Sequence, residues 1–113
     1  MKGKPLLPVL KTKKRYVVFE IVSDSLVEVK KAFYVIKDQY KKLFGIYGLG
    51  ISGLMNTRIY DKNKKKSILK VNNKYLNELK TTLAFIKKID DKDVILKTNY
   101  VSGILKKAKL HLQ

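Results

Sequence analysis

Residues 44–53 read FGIYGLGISG, a stretch holding four of the chain's six glycines: Gly45, Gly48, Gly50 and Gly53. How it is read decides the fold class. A phosphate-cradling loop needs a strand before the glycines and a helix after them, so that the first helical N–H groups face the anion. Here the order is reversed, because residues 26–44 have helical periodicity and residues 54–60 look extended. No Gly-Lys-Ser/Thr follows, and no acidic residue stands at the end of a second strand about twenty positions on. The stretch is therefore read as a helix C-cap at Gly45 and a loop whose glycines permit positive φ or close backbone approach.

Upstream of this stretch, Ser25 and Glu28 stand in a capping-box pattern that predicts a helix start. Leu26, Val29, Phe33, Ile36, Tyr40, Leu43 and Phe44 then recur at three- and four-residue steps, with lysines filling the opposite side. Before that helix, RYVVFEIV at 15–22 is dense in β-branched and aromatic residues and suits a central strand. Val17, Phe19 and Ile21 share its uncharged face, the expected core side, while Tyr16, Val18, Glu20 and Val22 share the other.

Downstream, LMNTRIY at 54–60 and KSILKV at 66–71 predict two strands joined by the polar turn DKNKK at 61–65. Asn72 or Asn73 can cap a second helix running to Lys88, in which Leu76, Leu79, Leu83 and Ile86 repeat at helical spacing. The aspartates at 90, 91 and 93 mark a turn rather than a cation loop, since the spacing has no EF-hand pattern. VILKTNYV at 94–101 predicts a fourth strand, after which Ser102 caps a short basic tail helix. The order βαββαβ implies an α+β, ferredoxin-like (RRM-like) fold: a four-stranded antiparallel sheet, two helices on one face, and a C-terminal helix.

Length fits one domain, 15–113, preceded by a basic arm, 1–14, that holds both prolines and is expected to order on binding. No cysteine is present, which excludes disulfides, thiolate metal sites and cysteine nucleophiles, and a cytoplasmic location is compatible with that. No apolar run approaches the length of a membrane span, and the N-terminal segment has too short an apolar middle for a secretory signal. A soluble protein with no membrane partner is expected.

Charge is the strongest signal. Twenty-six Lys and Arg against nine Asp and Glu give a formal net charge of +17, which self-repels unless a polyanion neutralises it. Nucleic acid is the leading candidate partner. Only Arg15 and Arg58 are arginine, and lysine's point charge favours phosphate contacts over bidentate base reading. Three clusters are candidate RNA contacts: Lys11, Lys13, Lys14 and Arg15; Lys62, Lys64, Lys65 and Lys66 at the hairpin, with Arg58 before it; and Lys106, Lys107 and Lys109 in the tail. Charge runs are usually only solvated surface, but the chain has too few acids to pair with these.

The third strand lacks the aromatic alternation of a base-stacking RNP1 strand, so Tyr16, Tyr60 and Tyr100 are read first as tyrosines with buried rings and wet hydroxyls. His111, the single histidine, sits near the end of the tail and is read as a solvated side chain. No catalytic constellation, metal-ligand set or cofactor motif is evident.

KKRYVVFEIVSD at 13–24, FGIYGLGISGLMNTRIYD at 44–61 and TNYVSGILKKAK at 98–109, with ILKV at 68–71 and TTLAFIKKI at 81–89, resemble archaeal ribonuclease P protein component 2. That family is shared with a eukaryotic ribonuclease P/MRP subunit. The resemblance implies a non-catalytic subunit of an RNA-based endoribonuclease. The RNA would carry the Mg2+-dependent removal of 5′ leaders from precursor tRNA, and the protein would bind and stabilise that RNA, touching precursor tRNA only indirectly. It also implies a second protein subunit of barrel-like fold (component 3), with two copies of each. The alternative from the residues alone is a lysine-rich ribosomal protein binding ribosomal RNA. Ile46, Tyr47, Leu49 and Ile51, the apolar residues among the glycines, either form a protein contact or fold back onto the core.

Overall fold

The structure, a computed structural model, describes residues 13–112. Most of the basic arm, Lys11 included, lies outside the described residues. Strand β1 (Lys14–Val22) is followed by α1 (Val29–Ser52), β2 (Met55–Tyr60), β3 (Lys66–Asn72), a 3-10 turn (Asn73–Tyr75) and α2 (Leu76–Phe85). A two-residue hairpin pair, β4 (Lys88–Ile89) and β5 (Lys92–Asp93), precedes β6 (Ile95–Ser102) and α3 (Leu105–Leu110).

The main sheet is antiparallel, with strand order β2-β3-β1-β6. This is the ferredoxin-like arrangement expected from the element order. Strand β1 is central, pairing Val17 with Leu69 of β3 on one side and with Val101 of β6 on the other. Both of its faces are covered. Val17, Phe19 and Ile21 join Ile36 and Tyr40 of α1 and Leu79 and Leu83 of α2 in the main core. On the opposite face Val18 and Ile68 are fully buried beneath Ala108 of α3 and Leu112. Burying a leucine side chain there contributes about 1.5–3 kcal/mol, enough to hold a six-residue helix that is marginal alone.

Helix α1 departs from the sequence reading at both ends. The capping box does not form: Glu28 is the N-cap and makes no side-chain cap bond. Instead Ser23 Oγ donates to the Asp93 carbonyl (2.9 Å) and accepts the Ser25 N–H (3.1 Å), tying residues 23–25 to β5. The helix therefore starts at Val29, and Leu26 stays outside the apolar stripe, 82% exposed.

At the other end, α1 consists of two helical segments that meet at a kink at Gly45. The Gly45 backbone (φ 82°, ψ 167°) lies in a region open essentially to glycine alone, and helical geometry resumes through Ser52. Gly45 thus closes the first segment where the sequence reading places the helix end, but a second helical segment replaces the expected loop, and Gly53 (φ 70°) is its left-handed C-cap. One glycine was sufficient reason to end the helix locally, but Ser52, fully buried, and Leu49, packed on the core, anchor the second segment. Burial also pushes the Tyr40 phenol above its ordinary 10.0, an effect partly offset by a hydrogen bond with Ser52.

Asn72 does not cap the second helix. Its amide nitrogen donates to the Ile51 carbonyl (3.0 Å) and its oxygen accepts from Lys14 Nζ, so one side chain joins α1, β3 and β1. Helix α2 ends at Phe85, and Ile86 is buried just beyond it in extended backbone. The aspartate turn takes the expected position, with Asp90 and Asp91 both left-handed (φ 52° and 64°) between β4 and β5. Ser102 does not cap the tail helix: α3 starts at Leu105 with Ile104 as its N-cap, and the Ser102 hydroxyl accepts the Ile104 N–H (3.0 Å) in the turn before it.

A methyl group on Gly53 would lie 2.6 Å from Asn72 Oδ1 and 2.9 Å from its Nδ2, besides occupying left-handed backbone. Gly53→Ala is expected to destabilise the fold by about 1–3 kcal/mol from backbone strain, with the Asn72 clash added. In urea denaturation, Gly53→Ala with Asn72→Ala should cost less than the sum of the two single changes. Strict additivity would count against the clash.

Candidate nucleic-acid interface

The β2–β3 hairpin is built around one carboxylate. Asp61 Oδ1 accepts the N–H groups of Lys65 (2.8 Å) and Lys66 (3.0 Å), while the Asp61 carbonyl accepts that of Lys64 (3.1 Å). Lys64 itself is left-handed (φ 55°) and exposed at the tip. The chain thus turns tightly while every lysine head remains outside the turn's own bonding.

Helix α3 crosses the outer sheet face and ends beside this hairpin. Lys62, Lys65 and Lys66 consequently share one cleft of about 920 Å3 with Lys109, floored by Ile59 and Leu112. Two carboxylates also line it, Glu20 and Asp61. Asp61 is engaged by backbone N–H groups, and Glu20 Oε1 accepts from Asn99 Nδ2 (3.1 Å). Among the described residues neither forms an ion pair with a lysine.

Across the described residues there are two ion pairs, Lys31–Asp90 (2.9 Å) and Lys42–Asp38 (3.1 Å). Asp90 holds the Lys31 ammonium above the ordinary lysine range by hydrogen bonding and by its charge. Both pairs lie away from the hairpin and the tail, so the basic cleft is left with unneutralised charge.

The other sequence candidates divide. Lys106 and Lys107 are exposed on α3 but do not line the cleft. Lys13, Lys14 and Arg15 sit at the far end of β1: Lys14 is opposite Asn72, whereas Glu20 is opposite Lys66, a separation of roughly 20 Å along the strand. Arg15 Nη1 there donates to the Lys14 carbonyl (3.0 Å). Arg58 belongs to neither group. It lines a second cleft with Lys30, Tyr34 and Asn56, between α1 and β2. Sequence reasoning passed over those three, because a helix lysine, an exposed tyrosine and a strand asparagine carry no shared spacing signal.

Tyr16, Tyr60 and Tyr100 are partly buried, each packed against a core cluster. Tyr100 stacks on His111 at 3.6 Å between ring centroids and 10° between planes, and Tyr16 packs with it beneath α3. Tyr60 packs against the main core. His111 is thus more than a solvated side chain, since its ring covers Tyr100.

The apolar set among the glycines splits between its two alternatives. Leu49 packs on the core, while Ile46 (74% exposed) and Tyr47 (80%) face outward with part of Ile51. Among the described residues no group of three or more His, Asp or Glu side chains is placed to hold a metal ion. None of their helices is long and apolar enough to cross a membrane.

With this geometry in place, comparison with known proteins is informative. The Rpp14/Pop5 family profile matches residues 15–113. Ribonuclease P protein component 2 of Pyrococcus horikoshii is 31% identical, over 96% of this chain and 89% of that protein. The component 2 protein of Pyrococcus abyssi is also 31% identical, over 96% and 92%. Ribonuclease P/MRP protein subunit POP5 of Schizosaccharomyces pombe is 26% identical, over 87% and 81%. Among solved structures, a chain of yeast ribonuclease MRP superposes with a TM-score of 0.66 at 13% identity, covering 90% of this chain and 87% of that one. This last likeness concerns the fold alone.

Proposed function

The chain belongs to the Rpp14/Pop5 family of ribonuclease P/MRP protein subunits, and on that premise we propose that it binds and stabilises the catalytic RNA of ribonuclease P. The RNA carries out the removal of 5′ leaders from precursor tRNA, and its Mg2+ sits on the RNA. The observation that carries this reading is the basic cleft between the hairpin and α3, whose lysines form no ion pair among the described residues. A row of ammonium groups with free donors suits a phosphate backbone, where each contact releases condensed counterions.

The chain is proposed to work with a second protein subunit of barrel-like fold, two copies of each making the assembly. Ile46, Tyr47 and Ile51 supply the contact between two copies of this chain. Residues 45–52, GIYGLGIS, contain no charged residue, whereas the five lysines of α1 all precede Gly45. Two strongly basic copies can approach there with least repulsion.

Three outcomes test these proposals. Cleavage of precursor tRNA by the cognate RNA at limiting magnesium, with the partner protein present, is expected to rise on adding this chain. No stimulation, with tight salt-sensitive binding to ribosomal RNA fragments, would transfer the assignment to the ribosome. Replacing Lys65, Lys66 and Lys109 with Gln should flatten the slope of log affinity against log salt by about two to three, at roughly 0.7–0.9 per phosphate contact. The same change at exposed Lys37 and Lys41 should leave the slope unaltered. Ile46→Ser combined with Tyr47→Ser should yield a folded monomer in sedimentation; an unchanged oligomer would remove the proposed contact.

A further inference from the structure

The second cleft is built around a strained arginine. Between Asn56 and Tyr60 the β2–β3 register slips, so that residues 56–60 span only residues 69–67 of the partner strand. Arg58 occupies this irregularity with φ 61°, a left-handed backbone that costs a non-glycine residue conformational energy. Side-chain hydrogen bonds brace the distortion. Asn56 Oδ1 accepts the Arg58 N–H (2.9 Å), Thr57 Oγ1 donates to the Ile68 carbonyl (2.7 Å), and Ser67 Oγ donates to the Ile59 carbonyl (3.2 Å). An arginine where glycine or asparagine would be unstrained points to a use for its side chain.

The cleft beside it encloses about 540 Å3, a volume that suits a small ligand or one residue of a larger one. It brings Arg58 together with Lys30 from the first turn of α1, and no carboxylate lines it. Glu28 belongs instead to a separate cleft with Lys31 and Asp90. Neither Lys30 nor Arg58 forms an ion pair among the described residues. The same cleft presents Tyr34, whose side chain is 73% exposed although it is aromatic, set at 60° to the neighbouring Phe33 ring. Asn56, having committed its oxygen to the Arg58 N–H, keeps its amide nitrogen free to donate.

We propose that this cleft captures one unpaired nucleotide, its phosphate between Arg58 and Lys30 and its base on the face of Tyr34, with the Asn56 amide donating to the base edge. The inference rests on the RNA-binding reading and adds to it a site for an extruded residue, separate from the backbone-tracking lysine cleft. Two cations without an acid exclude a cationic ligand, and an exposed ring beside them fits a base better than a free anion.

The experiment is an amide NMR titration of the full chain with adenosine 5′-monophosphate, with inorganic phosphate, and with a polyglutamate peptide. The nucleotide is expected to shift Lys30, Tyr34, Asn56 and Arg58 saturably, with phosphate alone about tenfold weaker or worse, because stacking is lost. Tyr34→Ala should weaken nucleotide binding by about tenfold. Arg58→Asn should abolish it while the melting temperature stays unchanged or rises, since asparagine tolerates left-handed backbone and unfolding cannot then explain the loss. Equal binding of phosphate and nucleotide, or unaltered binding by Arg58→Asn, would overturn the proposal. So would polyglutamate occupying the cleft more tightly than the nucleotide. A silent cleft in a chain whose lysine cleft still binds RNA in a salt-dependent way would sink this site alone. Loss of RNA binding altogether would sink the broader reading with it.

Discussion

Strand β1 is the constraint from which the remaining architecture follows. It is hydrogen-bonded along both edges, and buries Val17, Phe19 and Ile21 on one face and Val18 on the other. Leaving Val18 and the apolar residues around it wet would cost about 25 cal/mol for each Å2 of apolar surface exposed. Helices α1 and α2 cover the first face, so the second face requires α3. Docking α3 there seals the surface that related sheets leave open for base stacking, and carries Lys109 to the side of the hairpin lysines. The closure that completes the core therefore also assembles the basic cleft.

Charge is organised by where the few acids are engaged. Asp61 shapes the hairpin, Glu20 holds Asn99, and Asp90 and Asp38 pair with α1 lysines. Asp61, Glu20 and Asp38 act within their own turn, strand pair or helix, whereas Asp90 ties α1 to the β4–β5 turn; among the described residues no lysine of the cleft is in an ion pair. A basic protein arranged this way gains little internal electrostatic stabilisation, because exposed pairs contribute only about 0–1 kcal/mol each. Its excess charge is available to a polyanion.

Backbone strain is handled in two contrasting ways. At Gly45 and Gly53 left-handed or extended-positive backbone falls on glycine, where it is nearly free, and the result is a kinked helix whose second half displays Ile46 and Tyr47. At Arg58 comparable backbone falls on a long cationic side chain, inside a register slip that Asn56, Thr57 and Ser67 brace with side-chain hydrogen bonds. The first pattern serves shape, and the second places a cationic side chain at the cleft between α1 and β2.

Much of this protein was legible in its sequence. Alternation in β1, the helical stripe of α1, the polar turn at 61–65 and the aspartate turn at 90–93 are local patterns, and periodicity reports local structure reliably. The βαββαβ order then restricts topology to few choices, and the resemblance carried by residues 13–109 agrees with the family. The boundaries of α1 were not legible, because Ser23 is recruited by β5 and Ser52 by the core, partners distant along the chain. The same holds for the sites. Composition determined that the chain carries excess positive charge and where its lysine runs lie. Only the tertiary structure decided that the hairpin and α3 runs meet, that the β1 run stands apart, and that Lys30, Tyr34 and Asn56 gather around Arg58. Those convergences depend on strand order, a register slip and helix docking, which are long-range contacts that no local spacing encodes.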